Sequence, residues 1–205
     1  MTRDLPESLA ETWTPLGTRV GESSVLVVSI TAETTLYEPV EPLPLADAVT
    51  SDVPLRSLFA VDLSFSPSLS SVGVSPESVH STAASRAKSQ FVDLLEDDGV
   101  AVEGVRDDLE FEGPNGSQGT WFVLDVVYPV DPAVTVDGTE CIRAEGHVAV
   151  WPAETTYGVA GGTLPLETVT LDGDSTEDQR PSTDSAAVDP ERDREVVSTL
   201  VDGLE

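Results

Sequence analysis

Short apolar blocks bounded by Gly, Pro and Asp run along most of this chain. They are rich in valine and threonine, and several alternate apolar with polar positions, as residues 56–65 do. Alternation with a period of two is typical of strands that bury one face. The pattern predicts a first strand pair, residues 12–20 and 23–31, that turns at Gly21-Glu22.

One long helix is predicted after these strands. Ser75 can cap its start, Pro76 suits the first helical position, and Gly99 suits a left-handed stop. Between these ends, apolar residues recur every three or four positions, so one face should pack on a sheet. The residues of this stripe are Val79, Ala83, Ala87, Phe91, Leu94 and Leu95.

Five further strands are predicted after the helix, with no second helix between them. This run indicates antiparallel pairing, because parallel strands need long crossover connections that are usually helical. The fold class is therefore α+β: a mainly antiparallel sheet packed against one long helix and a C-terminal helix. The predicted strands are residues 100–106, 108–112, 119–130, 139–151 and 155–164.

The C-terminal part changes character at residue 172. Residues 172–189 are mostly Asp, Glu, Ser, Thr and Gly, a composition typical of a mobile linker. Asp189-Pro190 then starts a helix with one apolar stripe. We expect a single α+β domain over residues 1–171, the acidic mobile linker, and a helix over residues 190–205 that docks on the same domain. A helix presented to a partner's groove is the alternative.

The strongest compositional feature of the chain is its excess of acidic residues. The 205 residues carry 38 Asp and Glu against 10 Lys and Arg, a formal net charge of -28, and Lys88 is the only lysine. Dense apolar blocks argue against a disordered acidic chain. The balance is typical of a folded halophilic protein, because molar salt screens self-repulsion. Nucleic acid and an anionic membrane surface are not expected partners, since the arginines are few and scattered.

Motifs for cofactors are not found in the sequence. Cys141 is the only cysteine, which excludes a disulfide framework and a thiolate zinc site. Phosphate-cradling and dinucleotide fingerprints are missing, and the glycines of residues 158–162 lead into no helix, so a bulge or a close backbone approach explains them. We expect no metal and no cofactor. The first residues do not resemble a signal peptide, which predicts a cytoplasmic protein.

One strand carries a candidate site. Period-two alternation over residues 139–151 places a cation, a carboxylate, an imidazole and an indole on one face. A hairpin after that strand would bring Tyr157 alongside Ala149 or His147. The predicted ligand-binding residues are Arg143, Glu145, His147, Trp151 and Tyr157. A solvated or helix-covered face with ordinary cross-strand charge pairs is the competing interpretation.

Residues 151–165, WPAETTYGVAGGTLP, resemble a family of conserved haloarchaeal proteins of unknown function. The order of strands, one long helix and an antiparallel run is also similar to the Mog1/PsbP-like arrangement. The resemblance implies a saline habitat and a sheet covered by helices. It implies no activity, because one fold supports many functions.

Two functions follow from these patterns. The first is a non-enzymatic binding or protein-interaction module whose partner is an unknown protein or a small polar ligand. The second is a small hydrolase or transferase that uses His147 with Glu145, Arg143 or Tyr157. A concave pocket at these side chains would favour ligand chemistry, whereas a flat apolar patch would favour a protein partner.

Overall fold

One seven-stranded antiparallel sheet forms the centre of the molecule, in a computed structural model that describes residues 5–25, 27–43, 46, 48–135, 138–167 and 188–204. The sheet confirms the α+β class predicted from the strand pattern. Its order is β1-β2-β3-β7-β6-β5-β4, so the last of the described strands inserts between β3 and β6. The strands are β1 (Trp13–Val25), β2 (Val28–Pro39), β3 (Ser57–Ser66), β4 (Ala101–Glu112), β5 (Gln118–Pro129), β6 (Cys141–Pro152) and β7 (Tyr157–Pro165).

Helices cover the two faces of the sheet. A short helix α1 (Glu7–Ala10) and the C-terminal helix α3 (Pro190–Asp202) pack on one face, and the long helix α2 (His80–Asp97) packs on the other. We call these the α3 face and the α2 face. Among the described residues, no helix is long and apolar enough to cross a membrane.

The long helix differs from its prediction only at its start. Residues Pro76–Val79 form a 3-10 turn, and the side chain of Ser75 makes no capping hydrogen bond. The α-helix therefore begins at His80. Gly99 has φ 88° and confirms the left-handed stop.

The first strand pair turns later than predicted. The last pair of the hairpin is Val25 with Val28, and Gly21 lies inside β1 opposite Ala32. The longer hairpin brings Tyr37 beside Leu58 of β3, where the tyrosine is buried. Burial of this large side chain outweighs the weak local turn preference of Gly-Glu.

Close packing explains the glycines of β7. A Cβ atom on Gly161 would collide with the carbonyl oxygen of His147, and one on Gly158 would collide with the indole of Trp151. The strand pairs with both β3 and β6 without a register shift. The close backbone approach predicted for these glycines is confirmed, and the bulge is not found.

Helix α3 packs on the sheet through its apolar side. The Asp189 side chain accepts a hydrogen bond from the backbone N–H of Arg192 at 3.2 Å, and Pro190 occupies the first turn. The predicted linker overlaps residues 168–187, which lie outside the described residues, so its mobility and the domain boundaries stay predictions. The helix buries Val197, Leu200, Val201 and, just beyond its end, Leu204 among side chains of β3, β6 and β7.

Candidate functional site

A cleft of about 380 Å³ lies on the α3 face, between α3 and the strands β4, β5 and β6. Its floor is made by the strands and one wall by the helix. The lining side chains combine charged, polar and apolar groups. They are Arg106, Asp107, Leu109, Trp121, Val123, Glu145, His147, Arg194 and Ser198.

The strand register sets the order of these side chains. Glu145 pairs with Asp125 in the first row. His147, Val123 and Asp107 form the second row, and Ala149, Trp121 and Leu109 form the third. A register shift between Val105 and Asp107 allows the consecutive residues Arg106 and Asp107 both to line the cleft.

Glu145 is the centre of a charged network at the floor. Arg194 binds it through two N–H groups, with Nη2 at 2.7 Å from Oε1 and Nε at 2.9 Å from Oε2. Arg106 donates to Oε1 from the other side and also binds Asp125. His147 Nε2 lies 3.1 Å from Oε2. Each carboxylate oxygen therefore has two partners, supplied by β4, β6 and α3.

These partners keep the Glu145 side chain ionised. Burial opposes its charge, but the hydrogen bonds from His147 and Arg194 and the attraction of the Arg194 guanidinium outweigh that cost. The pKa of Glu145 is lowered to about 2. The same carboxylate raises the pKa of Arg194, mainly by its hydrogen bonds.

The His147 ring is held in one tautomer. The indole N–H of Trp121 donates to His147 Nδ1 at 3.0 Å, so Nδ1 is the acceptor and carries no proton. The ring proton then sits on Nε2 and is donated to Glu145. Both ring nitrogens are engaged by side chains, and the ring is 4% exposed.

One protein family matches almost the whole chain. The family model described as a domain of unknown function, DUF6517, matches residues 9–205. The chain belongs to this family. No curated protein and no solved structure matches the chain. The resemblance to an uncharacterised family is confirmed, while the haloarchaeal source and the Mog1/PsbP-like arrangement stay predictions.

Two of the five predicted site residues line the DUF6517 cleft. Glu145 and His147 lie on its floor, as the period-two pattern of β6 predicted. Arg143 shares their face but is largely exposed and binds Glu167, with Nη2 at 3.0 Å from Oε2. Trp151 is buried in the core under α3, and the indole that lines the cleft belongs to Trp121.

The placement predicted for Tyr157 is wrong. The β6–β7 hairpin pairs Tyr157 with Pro152, so its side chain lies on the α2 face. Its hydroxyl donates to the carbonyl of Pro76 at 2.6 Å. The residues beside His147 and Ala149 are instead Gly162 and Ala160. The tight turn after Pro152 sets this register, and one residue of displacement reverses the face.

The second histidine of the chain lies away from the cleft. His80 is half-buried at the start of α2, with Nε2 at 3.0 Å from the Thr120 hydroxyl oxygen. Its Nδ1 atom is buried and has no hydrogen-bond partner among the residues that the structure describes. Burial lowers the pKa of His80. This ring lies on the opposite face of the sheet from the cleft.

Three important cleft residues were missed by sequence reasoning. Arg106, Trp121 and Arg194 come from three different elements and meet only through the sheet order. The available signal was the scarcity of cations, since an arginine inside a predicted strand or helix of so acidic a chain is unusual. Within the part of the chain that is described, no group of three His, Cys, Asp or Glu side chains could hold a metal ion.

Proposed function

We propose that this protein is a non-enzymatic binding module that takes a small polar ligand in the cleft beside α3. One observation carries the proposal. Arg194 is fixed on Glu145 through Nε and Nη2, and Arg106 is fixed between Glu145 and Asp125 through its two terminal nitrogens, while both side chains line the cleft and stay 44% and 37% exposed. Their remaining N–H groups are therefore oriented in advance for a ligand acceptor.

The other walls support the same function. Leu109 is 51% exposed, and with Trp121 and Val123 it supplies an apolar surface beside the charged floor. Ligand pockets commonly combine apolar walls with a few fixed polar groups, in volumes of about 300–1,000 Å³. The cleft volume, about 380 Å³, suits a small molecule. A concave surface of this kind favours a small ligand over a protein partner.

The alternative, a small hydrolase or transferase, has less support. A general base needs a lone pair directed at the substrate proton. The lone pair on His147 Nδ1 already accepts from Trp121, and its N–H is donated to Glu145. Arg143 binds Glu167, and Tyr157 lies on the other face of the sheet. The side chains proposed for catalysis do not meet around one reacting position.

The setting we propose is a cytoplasm of high salt. The net charge of -28 supports it, because such a chain repels itself in dilute solution. Nucleic acid and anionic membranes are not proposed as partners. Both are recognised by extended sets of Lys and Arg, whereas this chain carries 10 Lys and Arg against 38 Asp and Glu.

The proposal is tested by NMR screening at about 2 M potassium chloride, an ionic strength that screens surface charge. The probes are a library of small organic acids, amines, amides, amino acids and sugars. Hits should perturb the backbone signals of residues 106–109, 121–123 and 194–198. The Ser198→Trp variant, which fills the cleft, should lose these hits.

The matched control is Glu195→Trp, which introduces the same side chain at an exposed position of α3 outside the cleft lining. This variant should keep the hits. Hits that persist in Ser198→Trp, or a screen without a response at the cleft residues, would contradict a small-ligand site here.

A further inference from the structure

The charged side chains of the cleft lie in two separate places, the arginines at one end and Asp107 apart from them. At one end, the guanidiniums of Arg106 and Arg194 surround Glu145, and Arg106 also binds Asp125. Two cations and two carboxylates make this end neutral overall. Both oxygens of Glu145 are occupied and Asp125 does not line the cleft, so the charged groups that face a ligand at this end are guanidinium donors.

Asp107 supplies a negative charge to the cleft, opposite in sign to the guanidiniums of Arg106 and Arg194. It is exposed, it lies in the second row beside Val123, and it makes no hydrogen bond or ion pair with any residue that the structure describes. Its carboxylate is thus a free acceptor on the cleft wall. A ligand with a second acidic group would meet repulsion at this position, and a ligand ammonium would be attracted.

The third row is apolar. Trp121 and Leu109 are cross-strand neighbours there, and Leu109 is 51% exposed. Successive rows on one face of a sheet are roughly 7 Å apart, since they are separated by two residues along each strand. Donors, a lone carboxylate and an apolar wall therefore follow one another along a single line of the sheet.

From this order we propose that the ligand is an α-amino acid with an apolar side chain. The inference rests on the proposed function, since it names the ligand class of the same cleft. The ligand carboxylate accepts hydrogen bonds from Arg106 and Arg194, its ammonium donates to Asp107, and its side chain packs on Leu109 and Trp121. The two ligand charges cancel, so binding adds no net charge to a cleft that is already acidic.

The test is isothermal titration calorimetry of the full chain at about 2 M potassium chloride, where nonspecific surface attraction is screened. The probes are L-phenylalanine, 3-phenylpropionate, which lacks the amine, and 2-phenylethylamine, which lacks the carboxylate. L-Phenylalanine should bind, and each analogue should bind at least about tenfold more weakly, because a charged cleft group loses its partner. An analogue that binds as tightly as L-phenylalanine overturns the assignment.

A pair of variants tests the ammonium contact directly. Asp107→Asn should weaken L-phenylalanine about tenfold and leave 3-phenylpropionate unchanged or tighter. The neighbouring Asp108→Asn should change neither, because Asp108 pairs with Phe122 and projects to the α2 face. Equal effects of the two substitutions on L-phenylalanine overturn the ammonium contact.

Failure of the ligand class is distinguishable from failure of the site. If L-phenylalanine and L-leucine do not bind while other compounds of the NMR screen perturb the cleft, the amino-acid assignment is wrong and the binding module stands. If no compound perturbs the cleft, both are wrong.

Discussion

At the scale of single residues, Glu145 organises the site. A buried carboxylate is costly to ionise unless several donors satisfy it, and here those donors come from three separate elements. Arg194 ties α3 to the sheet through this carboxylate, and Arg106 ties the edge strand β4 to it. The group that shapes the cleft is therefore also part of what holds its walls together.

Replacement of Glu145 by Gln should lower the free energy of unfolding by about 2–3 kcal/mol. Removing one partner of a fully buried pair costs about 3–5 kcal/mol. The cost here is smaller because Arg106 and Arg194 stay partly solvated. Chemical denaturation in high salt measures the change. Asp125→Asn, at a half-exposed partner of Arg106, is the control and should cost well under about 1 kcal/mol.

The pH dependence of this difference tests the same network. The folded pKa of Glu145, about 2, lies below its ordinary 4.5, so ionised Glu145 stabilises the fold fully above about pH 4.5. That stability is lost as pH falls from 4.5 through 2. The gap in unfolding free energy between the wild type and Glu145→Gln should therefore shrink across this window.

A gap that stays constant down to pH 2 would contradict the lowered pKa of Glu145. Comparison with the variant is needed because Asp193 acts in the opposite direction. Burial is the main cause of its raised pKa, only partly offset by Arg56, so its ionisation disfavours the fold as pH rises. The difference in unfolding free energy between the wild type and Glu145→Gln removes this contribution, because Asp193 is present in both proteins.

Alternation along a strand predicted only those site residues that lie close together in the sequence. Glu145 and His147 are two residues apart on one strand, and alternation placed them on one face. Arg106 and Arg194 lie 39 and 49 residues from Glu145, and no short-range pattern joins them. Tyr157 was misplaced because one residue of hairpin register decides the face, and apolar alternation alone does not determine it.

At the scale of elements, α3 is held by both apolar and ionic contacts. Arg56 of the segment before β3 binds Asp193 with Nη2 at 2.8 Å from Oδ2, and both side chains are buried. The neighbouring Arg194 points the other way, into the cleft. One turn of the helix therefore carries two ion pairs on different sides, which sets both the position and the rotation of α3 on the sheet.

Truncation of Leu200 should show how much this packing contributes. Leu200 is fully buried between α3 and the sheet, and a Leu→Ala change at such a site costs about 2–5 kcal/mol. Leu200→Ala should lower the unfolding free energy by that amount in a denaturant titration. Leu109→Ala, the same change at a cleft residue that is half exposed, should cost about 0.5 kcal/mol or less. If Leu200→Ala lowers the unfolding free energy as little as Leu109→Ala, the packing of α3 contributes little to the stability of the folded state.

Elements were predictable, but their arrangement was not. Strands β3, β5, β6 and β7 follow their predicted ranges within a few residues, because alternation and turn residues are local signals. The insertion of β7 between β3 and β6 is decided by tertiary packing. Its glycines, predicted to allow close backbone approach, were the one local sign of a strand enclosed on both sides.

At the scale of the whole molecule, three of the few cations gather on the α3 face of the sheet. Arg56, Arg106 and Arg194 all bind carboxylates on the α3 face, where they position a helix and a cleft. The rest of the surface keeps an excess of Asp and Glu. Composition shows that excess, but only the fold shows that these three arginines join α3 and β4 to the rest of the sheet.

The excess of negative charge predicts that potassium chloride stabilises the folded state far beyond physiological ionic strength. A net charge of -28 repels itself in the compact state, and the Debye length falls from about 8 Å to about 3 Å between 0.15 M and 1 M salt. The thermal unfolding midpoint should rise steadily from about 0.1 M to about 3 M potassium chloride. The variant Glu103→Gln, Asp108→Asn, Glu110→Gln removes three exposed charges of β4 and should show a shallower rise. A midpoint that is flat or falls over this range, or a variant that rises as steeply as the parent chain, would show that self-repulsion does not govern its stability.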